Sequence, residues 1–158
     1  MERTVIKTPL GFAAITGDEK GIASITVTDD EELTPDAVVP EVLQEAVYQL
    51  EEYFLGKRST FNLALQPEGT DFQKRVWKAL LAIPYGTTVS YLELTRRLGD
   101  EKAIRAVAAA NGKNPVWIVI PCHRVVGSDG SLTGYAGGLW RKQWLLEHEN
   151  PPPQLKLL

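Results

Sequence analysis

One cysteine, two histidines and one methionine are all that the 158 residues offer, and each scarcity closes a class of explanation. A lone Cys122 cannot form an internal disulfide, so a reducing intracellular compartment is expected. One Cys and two His do not build an ordinary structural zinc site, and neither a metal nor a cofactor is expected. No apolar run approaches the roughly 18 residues that span a bilayer, which leaves no membrane partner. The first residues, Met1-Glu2-Arg3-Thr4, run into alternating rather than apolar sequence, against a secretory signal and in favour of a cytoplasmic protein. A hydrophobic fraction of 44% and a charged fraction of 23% are those of an ordinary globular chain. The length suits one domain or two small ones.

The net charge of −3 argues at first against a polyanionic partner, but it is unevenly spread. Residues 1–70 hold 5 Lys+Arg against 13 Asp+Glu, a net of −8. Residues 71–158 hold 12 against 7, a net of +5. Such asymmetry suggests that the second part meets a polyanion while the first does not. Chance placement of charges on solvated faces is the plainer alternative.

The first part reads as strands and a helix. Thr4 to Lys7, Gly11 to Thr16 and Gly21 to Thr28 are rich in β-branched residues, with a turn over Gly17-Asp18-Glu19-Lys20-Gly21. Residues 29–40 are acidic, carry Pro35 and Pro40, and predict a loop. Val42, Leu43, Ala46, Val47, Leu50, Tyr53 and Phe54 then recur at helical spacing, stopped at Gly56. Phe61 to Leu65 suggests a last strand, and residues 67–70 a boundary. The second part reads as helices and loops. Asp71 is expected to cap a helix carrying Phe72, Val76, Trp77, Leu80 and Leu81 on one face. Helices over Ser90 to Leu98 and Glu101 to Asn111, joined at Gly99-Asp100, form the pattern of a helix-turn-helix. Val116 to Ile120 is an apolar run leading to Pro121-Cys122-His123-Arg124. A Gly-rich loop spans 127–138, and a last helix, about Trp140 to Glu149, ends before Pro151-Pro152-Pro153. The expected fold is therefore α+β: a strand-rich domain over 1–70 and a mostly helical domain with a helix-turn-helix over 71–158.

Cys122 stands out by its company. A lone thiol after an apolar run is more often structural. Here a His and an Arg follow at once, and a His or a cation beside a thiol is what makes a thiolate nucleophile available. The second helix of the helix-turn-helix, Ala103-Ile104-Arg105-Ala106-Val107-Ala108-Ala109-Ala110, is poor in the polar side chains that read base edges in the major groove. Its small residues permit close approach to a backbone or a narrow groove. Its single Arg could occupy the space left by an extruded base; a core helix with Arg105 at its solvent edge is an equal alternative.

Together these residues resemble the O6-alkylguanine-DNA alkyltransferases. The resemblance runs through most of residues 71–149: Val89-Ser90-Tyr91, Arg105-Ala106-Val107, Asn114-Pro115, Ile120-Pro121-Cys122-His123-Arg124-Val125, Tyr135 with Gly137-Gly138-Leu139, and Trp144-Leu145-Leu146 through His148-Glu149. The first 70 residues match in layout only, and the resemblance implies an RNase H-like domain there. It implies direct-reversal repair by a monomer that binds double-stranded DNA in the minor groove and flips out O6-alkylguanine, with O4-alkylthymine a further candidate lesion. The alkyl group passes to Cys122 in a single turnover. His123, acting through a water and oriented by Glu149, is then the base, and Asn114 braces the turn that carries the Cys. Tyr91 donates its hydroxyl to the guanine, and Arg105 fills the gap in the duplex. Val125, Tyr135 and Ala136 belong to the base pocket, with backbone groups at Cys122, Val125 and Ala136 reading the base edge. Ala136 stands where many relatives have Ser or Gly, but a backbone N–H is unaffected by that. Trp117, five residues before the Cys, either lines the pocket or fills the core. Some relatives bind zinc in the first domain, and this chain lacks those ligands.

Three rival readings remain at this stage. A non-catalytic lesion-binding relative would lack the acceptor Cys. A helix-turn-helix regulator would need a polar recognition helix. A thiol hydrolase would turn over, which a thioether at Cys122 would not allow.

Overall fold

The computed structural model describes residues 1–30 and 32–152. Glu31 and Pro153, the last of the proline run, lie outside the described residues. The fold is α+β. It divides into two compact units, one of residues 1–68 with 115–119, the other of residues 69–114 with the described residues from 120. Among the described residues no helix is long and apolar enough to cross a membrane.

In the first unit, β1 (Glu2–Thr8), β2 (Gly11–Asp18) and β3 (Gly21–Thr28) form an antiparallel meander in that order. Ile15 pairs with both Thr4 and Ile25, and a bulge between Thr16 and Gly17 shifts the β2–β3 register by one residue near the turn. Helix α1 (Glu41–Phe54) lays Leu43, Ala46, Val47, Leu50 and Tyr53 on one buried face, the stripe that a 3.6-residue period dictates. Gly56, at φ +75°, turns the chain out of it. The acidic loop is pinned to β1 by Asp36, whose carboxylate accepts from Thr4 Oγ1 at 2.9 Å and from Val5 N at 3.1 Å.

Two segments differ from expectation. Phe61 to Leu65 forms no strand; only Leu65 bridges to Ile22. The Gln49 amide holds the Asn62 backbone at both ends, donating to Asn62 O at 3.1 Å and accepting from Asn62 N at 2.9 Å, which replaces ladder bonds there. The apolar run before Cys122 also has a second task. Ile25 N donates to Pro115 O and Trp117 N to Ile25 O, each at 2.9 Å, so Val116 lies parallel to β3 and covers part of its edge. Ile118 follows with φ +74° in a γ-turn closed by Val119 N–H on Trp117 O at 2.8 Å. A β-branched residue is strained in that region, and its side chain, 1% exposed, is held there by packing.

The second unit begins with α2 (Asp71–Leu80). Its cap is Thr70 rather than Asp71: Thr70 Oγ1 accepts from Gln73 N while Gln73 Oε1 accepts from Thr70 N, a capping box. Asp71 instead places its charge in the first turn, where the helix dipole favours it. Helix α3 (Tyr91–Arg97) is capped by Ser90, and Gly99 at φ +97° makes the turn. A 3-10 turn (Glu101–Ala103) then leads into α4 (Ile104–Gly112), so the expected single helix from Glu101 starts in 3-10 form. Trp77 Nε1 of α2 donates to Ala110 O of α4 at 2.8 Å. Strand β4 (Val89–Ser90) pairs in parallel with β5 (Val125–Val126) just after the cysteine, a contact with no two-residue signal in the sequence. Helix α5 (Leu139–Glu149) completes the unit.

Candidate active site

Cys122 opens a short 3-10 turn (Cys122–Arg124), and all three of its side chains are buried. Pro121, at φ −82° and ψ 62°, bends the chain into it, with Cys122 N donating to Ile120 O at 2.8 Å. Asn114 Nδ2 donates to Ile120 O at 2.7 Å, and Asn111 Nδ2 to Cys122 O at 3.4 Å. Burial pushes the Cys122 thiol up to about 11, against the pull of an Asn114 hydrogen bond and the charge of Lys142. A resting thiol, not a free thiolate, is therefore the state at neutral pH, and forming a thiolate there requires a base to take the proton.

The next residue, His123, has no exposed surface. Its Nε2 lies 2.8 Å from Glu149 Oε2. Arg124 grips the same carboxylate with two donors, Nε to Oε1 at 2.7 Å and Nη2 to Oε2 at 3.0 Å, and its Nη1 donates to Ile83 O at 2.6 Å. Gly86 N adds a bond to Oε1 at 3.4 Å. Gly86 sits at φ +78°, and a Cβ there would come within 3.2 Å of Glu149 O, so both backbone and space favour glycine. Burial raises the cost of charge on Glu149, yet the hydrogen bonds from His123 and Arg124 prevail and hold it well below the usual carboxylate range. Burial keeps His123 below its ordinary 6.5 despite the carboxylate, so the imidazole is neutral. An anionic Glu149 can only accept, so Nε2 carries the hydrogen and Nδ1 the lone pair. Nδ1 is buried and has no hydrogen-bond partner among the described residues.

Beside this network lies a cavity of about 530 Å³, lined by Tyr91, Arg105, Ala108, Asn111, Thr133 and Tyr135 among others. Asn111 joins the two, since it lines the cavity and holds the Cys122 carbonyl. Arg105 is exposed on α4, its charge free to meet a partner. Burial pushes the Tyr135 hydroxyl well above its ordinary range, so it stays a donor. Lys142 of α5 is fully buried, and its Nζ donates to Val125 O at 2.6 Å and Thr133 O at 2.8 Å. Burial brings it down to about 8.

The structure thus gathers Cys122, His123, Glu149, Asn114, Tyr91, Arg105 and Tyr135 in the second unit. Val125 is buried there, with its carbonyl taken up by Lys142. Ala136 is exposed on the loop before α5. Neither is among the residues that line the cavity. Trp117 stands in the first unit, half-buried and paired to Ile25, and is not among the lining residues either. Two residues escaped the sequence, Lys142 and Asn111, and Arg124, read there as a cation beside the thiol, instead grips Glu149. Lys142 carried a usable signal, because it shares the spacing of Leu145 and Glu149 on the buried face of α5.

Two family profiles cover nearly all of the chain. Residues 1–67 match the ribonuclease-like domain of 6-O-methylguanine DNA methyltransferase, and residues 71–151 match its DNA binding domain. The methylated-DNA–protein-cysteine methyltransferase of Methanosarcina barkeri is 48% identical over 149 residues, 92% of this chain and 94% of that one. The protein of the same name from Mycobacterium tuberculosis is 54% identical over 116 residues, 73% of this chain and 68% of its own. Among solved structures, Mycobacterium tuberculosis OGT in complex with DNA superposes with a TM-score of 0.85 at 44% identity, over 99% of each chain. From the strand-rich first unit to the buried His123-Glu149-Arg124 network beside Cys122 in the second, the chain belongs to the 6-O-methylguanine DNA methyltransferase family.

Proposed function

We propose that this protein repairs DNA directly, moving the alkyl group from O6 of guanine to Sγ of Cys122 in a single turnover. The observation that carries the reading is the neutral, buried His123 with a lone pair on Nδ1, oriented by Glu149, next to the only thiol of the chain. A buried nitrogen without a protein partner is where a bridging water is stabilised. Through it the proton of Cys122 passes to His123 as Sγ attacks the alkyl carbon. The S–C bond forms, the C–O6 bond breaks, and the electron pair stays on the guanine. One proton then passes from the imidazolium to the guanine anion, relayed by the Tyr91 hydroxyl, which ends unchanged, so guanine and His123 are both left neutral and atoms and charge balance. Arg124 keeps Glu149 anionic throughout, and Glu149 stabilises the passing imidazolium.

The reacting carbon is hidden inside a duplex, so the nucleotide has to be extruded into the cavity. Arg105 at the mouth fills the gap, and the small residues around it on α4 suit approach through the minor groove. No water activates or hydrolyses a thioether under such conditions, so the product stays on Cys122 and the reaction is stoichiometric. Asn114 acts by holding the Ile120 carbonyl and so the turn that carries Sγ. The presence of Cys122 favours this reading over a binding-only protein. Incubation with O6-methylguanine duplex DNA and intact-mass measurement test it. One methyl per chain, mapped to Cys122 and lost in Cys122→Ala, is the expected result; turnover beyond one equivalent or an unchanged mass overturns it.

A further inference from the structure

Asn111 is 4% exposed and sits on α4, where it lines the cavity. Its Nδ2 is occupied by the Cys122 carbonyl. The reverse orientation of the amide would set oxygen against oxygen, so the assignment follows from the partner. Oδ1 is then left buried with no hydrogen-bond donor among the described residues. A buried acceptor in that state is destabilising until a donor arrives. Alkylation at O6 removes the hydrogen from N1 of guanine, and the exocyclic 2-amino group is the donor that remains on the base edge. Alkylation at O4 of thymine leaves no N–H on that edge at all.

We infer that Asn111 Oδ1 accepts a hydrogen bond from the 2-amino group of the extruded base and so selects alkylated guanine over bases without that group. This rests on the proposed function, and deepens it by naming a residue that determines specificity. Discrimination of this kind is strongest where a site's buried polar group is satisfied by one substrate only. The same amide ties the reading of the base to the position of Cys122, because its other end holds the Cys122 carbonyl.

The test compares duplexes carrying O6-methylguanine or O6-methylhypoxanthine, which differ only in the 2-amino group. Single-turnover methyl transfer is measured for the wild type, Asn111→Leu and Asn111→Ala. Because the rates enter as a ratio within each protein, a smaller folded fraction cancels. The wild type should favour the guanine substrate, and both variants should reduce that preference about fivefold, the worth of one neutral hydrogen bond. A preference that is unchanged or larger in the variants, whatever their absolute rates, assigns the amide to the fold and overturns the inference. Failure of the wild type to accept a methyl group from O6-methylguanine would instead overturn the proposed function, so the two failures are distinct.

Discussion

Arg124 meets Glu149 side-on, Nε to Oε1 at 2.7 Å and Nη2 to Oε2 at 3.0 Å, while the same Oε2 lies 2.8 Å from His123. The guanidinium fork matches the carboxylate plane, and both groups are almost wholly buried. Removing one partner of such a pair strands a charge in a low-dielectric interior. Arg124→Met is therefore expected to cost about 3–5 kcal/mol of stability. Adding Glu149→Gln to Arg124→Met should recover part of that loss, because the stranded charge goes with it. Denaturant melts of the two single variants and the double variant check this; losses that simply add would show the pair to be uncoupled.

The pH dependence follows from the same three residues. His123 lies below 6.5 in the fold, so as pH falls past 6.5 the unfolded chain takes up a proton that the folded one refuses. Stability should decline from there. Glu149 is held below its ordinary 4.5, so its contribution is whole above that value and is lost as pH drops through the folded one. The melting temperature should therefore fall in two stages on acidification. Glu149→Gln should remove the lower stage and His123→Gln the upper. The rate of methyl transfer should hold across neutral pH and fall only below 6.5, once Nδ1 is protonated.

Arg105 predicts a difference between substrates. It lines the cavity yet is exposed on α4, where a charge can enter a duplex. Arg105→Ala should slow repair of duplex DNA far more than reaction with the free modified base, since only the duplex needs extrusion. Binding should also weaken steeply with salt, as neutralised phosphates release counterions. Equal loss on both substrates would place Arg105 in the pocket chemistry or the fold.

Lys142 ties Val125 O and Thr133 O to α5 through one buried ammonium. Lys142→Met leaves both carbonyls without that donor and frees the wall of the cavity at Thr133. Methyl transfer should slow by about 10- to 100-fold, the usual result of a misplaced reacting group. The linkage has its own sign. The folded pKa is about 8 against an ordinary 10.5, so between those values the unfolded chain binds more protons and stability rises with pH. The wild type should gain stability relative to Lys142→Met as pH climbs from 8 to 10.

Much of this was legible in the chain because it depends on near neighbours. The spacing of Leu43, Ala46, Leu50 and Tyr53 specifies α1, since a helix repeats every 3.6 residues whatever it packs against. Gly21 to Thr28 emerged as a strand with the bounds its composition suggests. The Pro-Cys-His-Arg string and its flanking motifs were enough to name the family. Packing decided the rest. No local rule puts a β-branched residue such as Ile118 at φ +74°, and only burial on a segment shared with β3 holds it there. Arg124 and Glu149 are 25 residues apart, and their union needs α5 to return to the cysteine turn. The orphaned oxygen of Asn111 is likewise a fact of position. An amide in a helix has partners everywhere in water, and only a closed interior leaves one of its ends waiting for a donor.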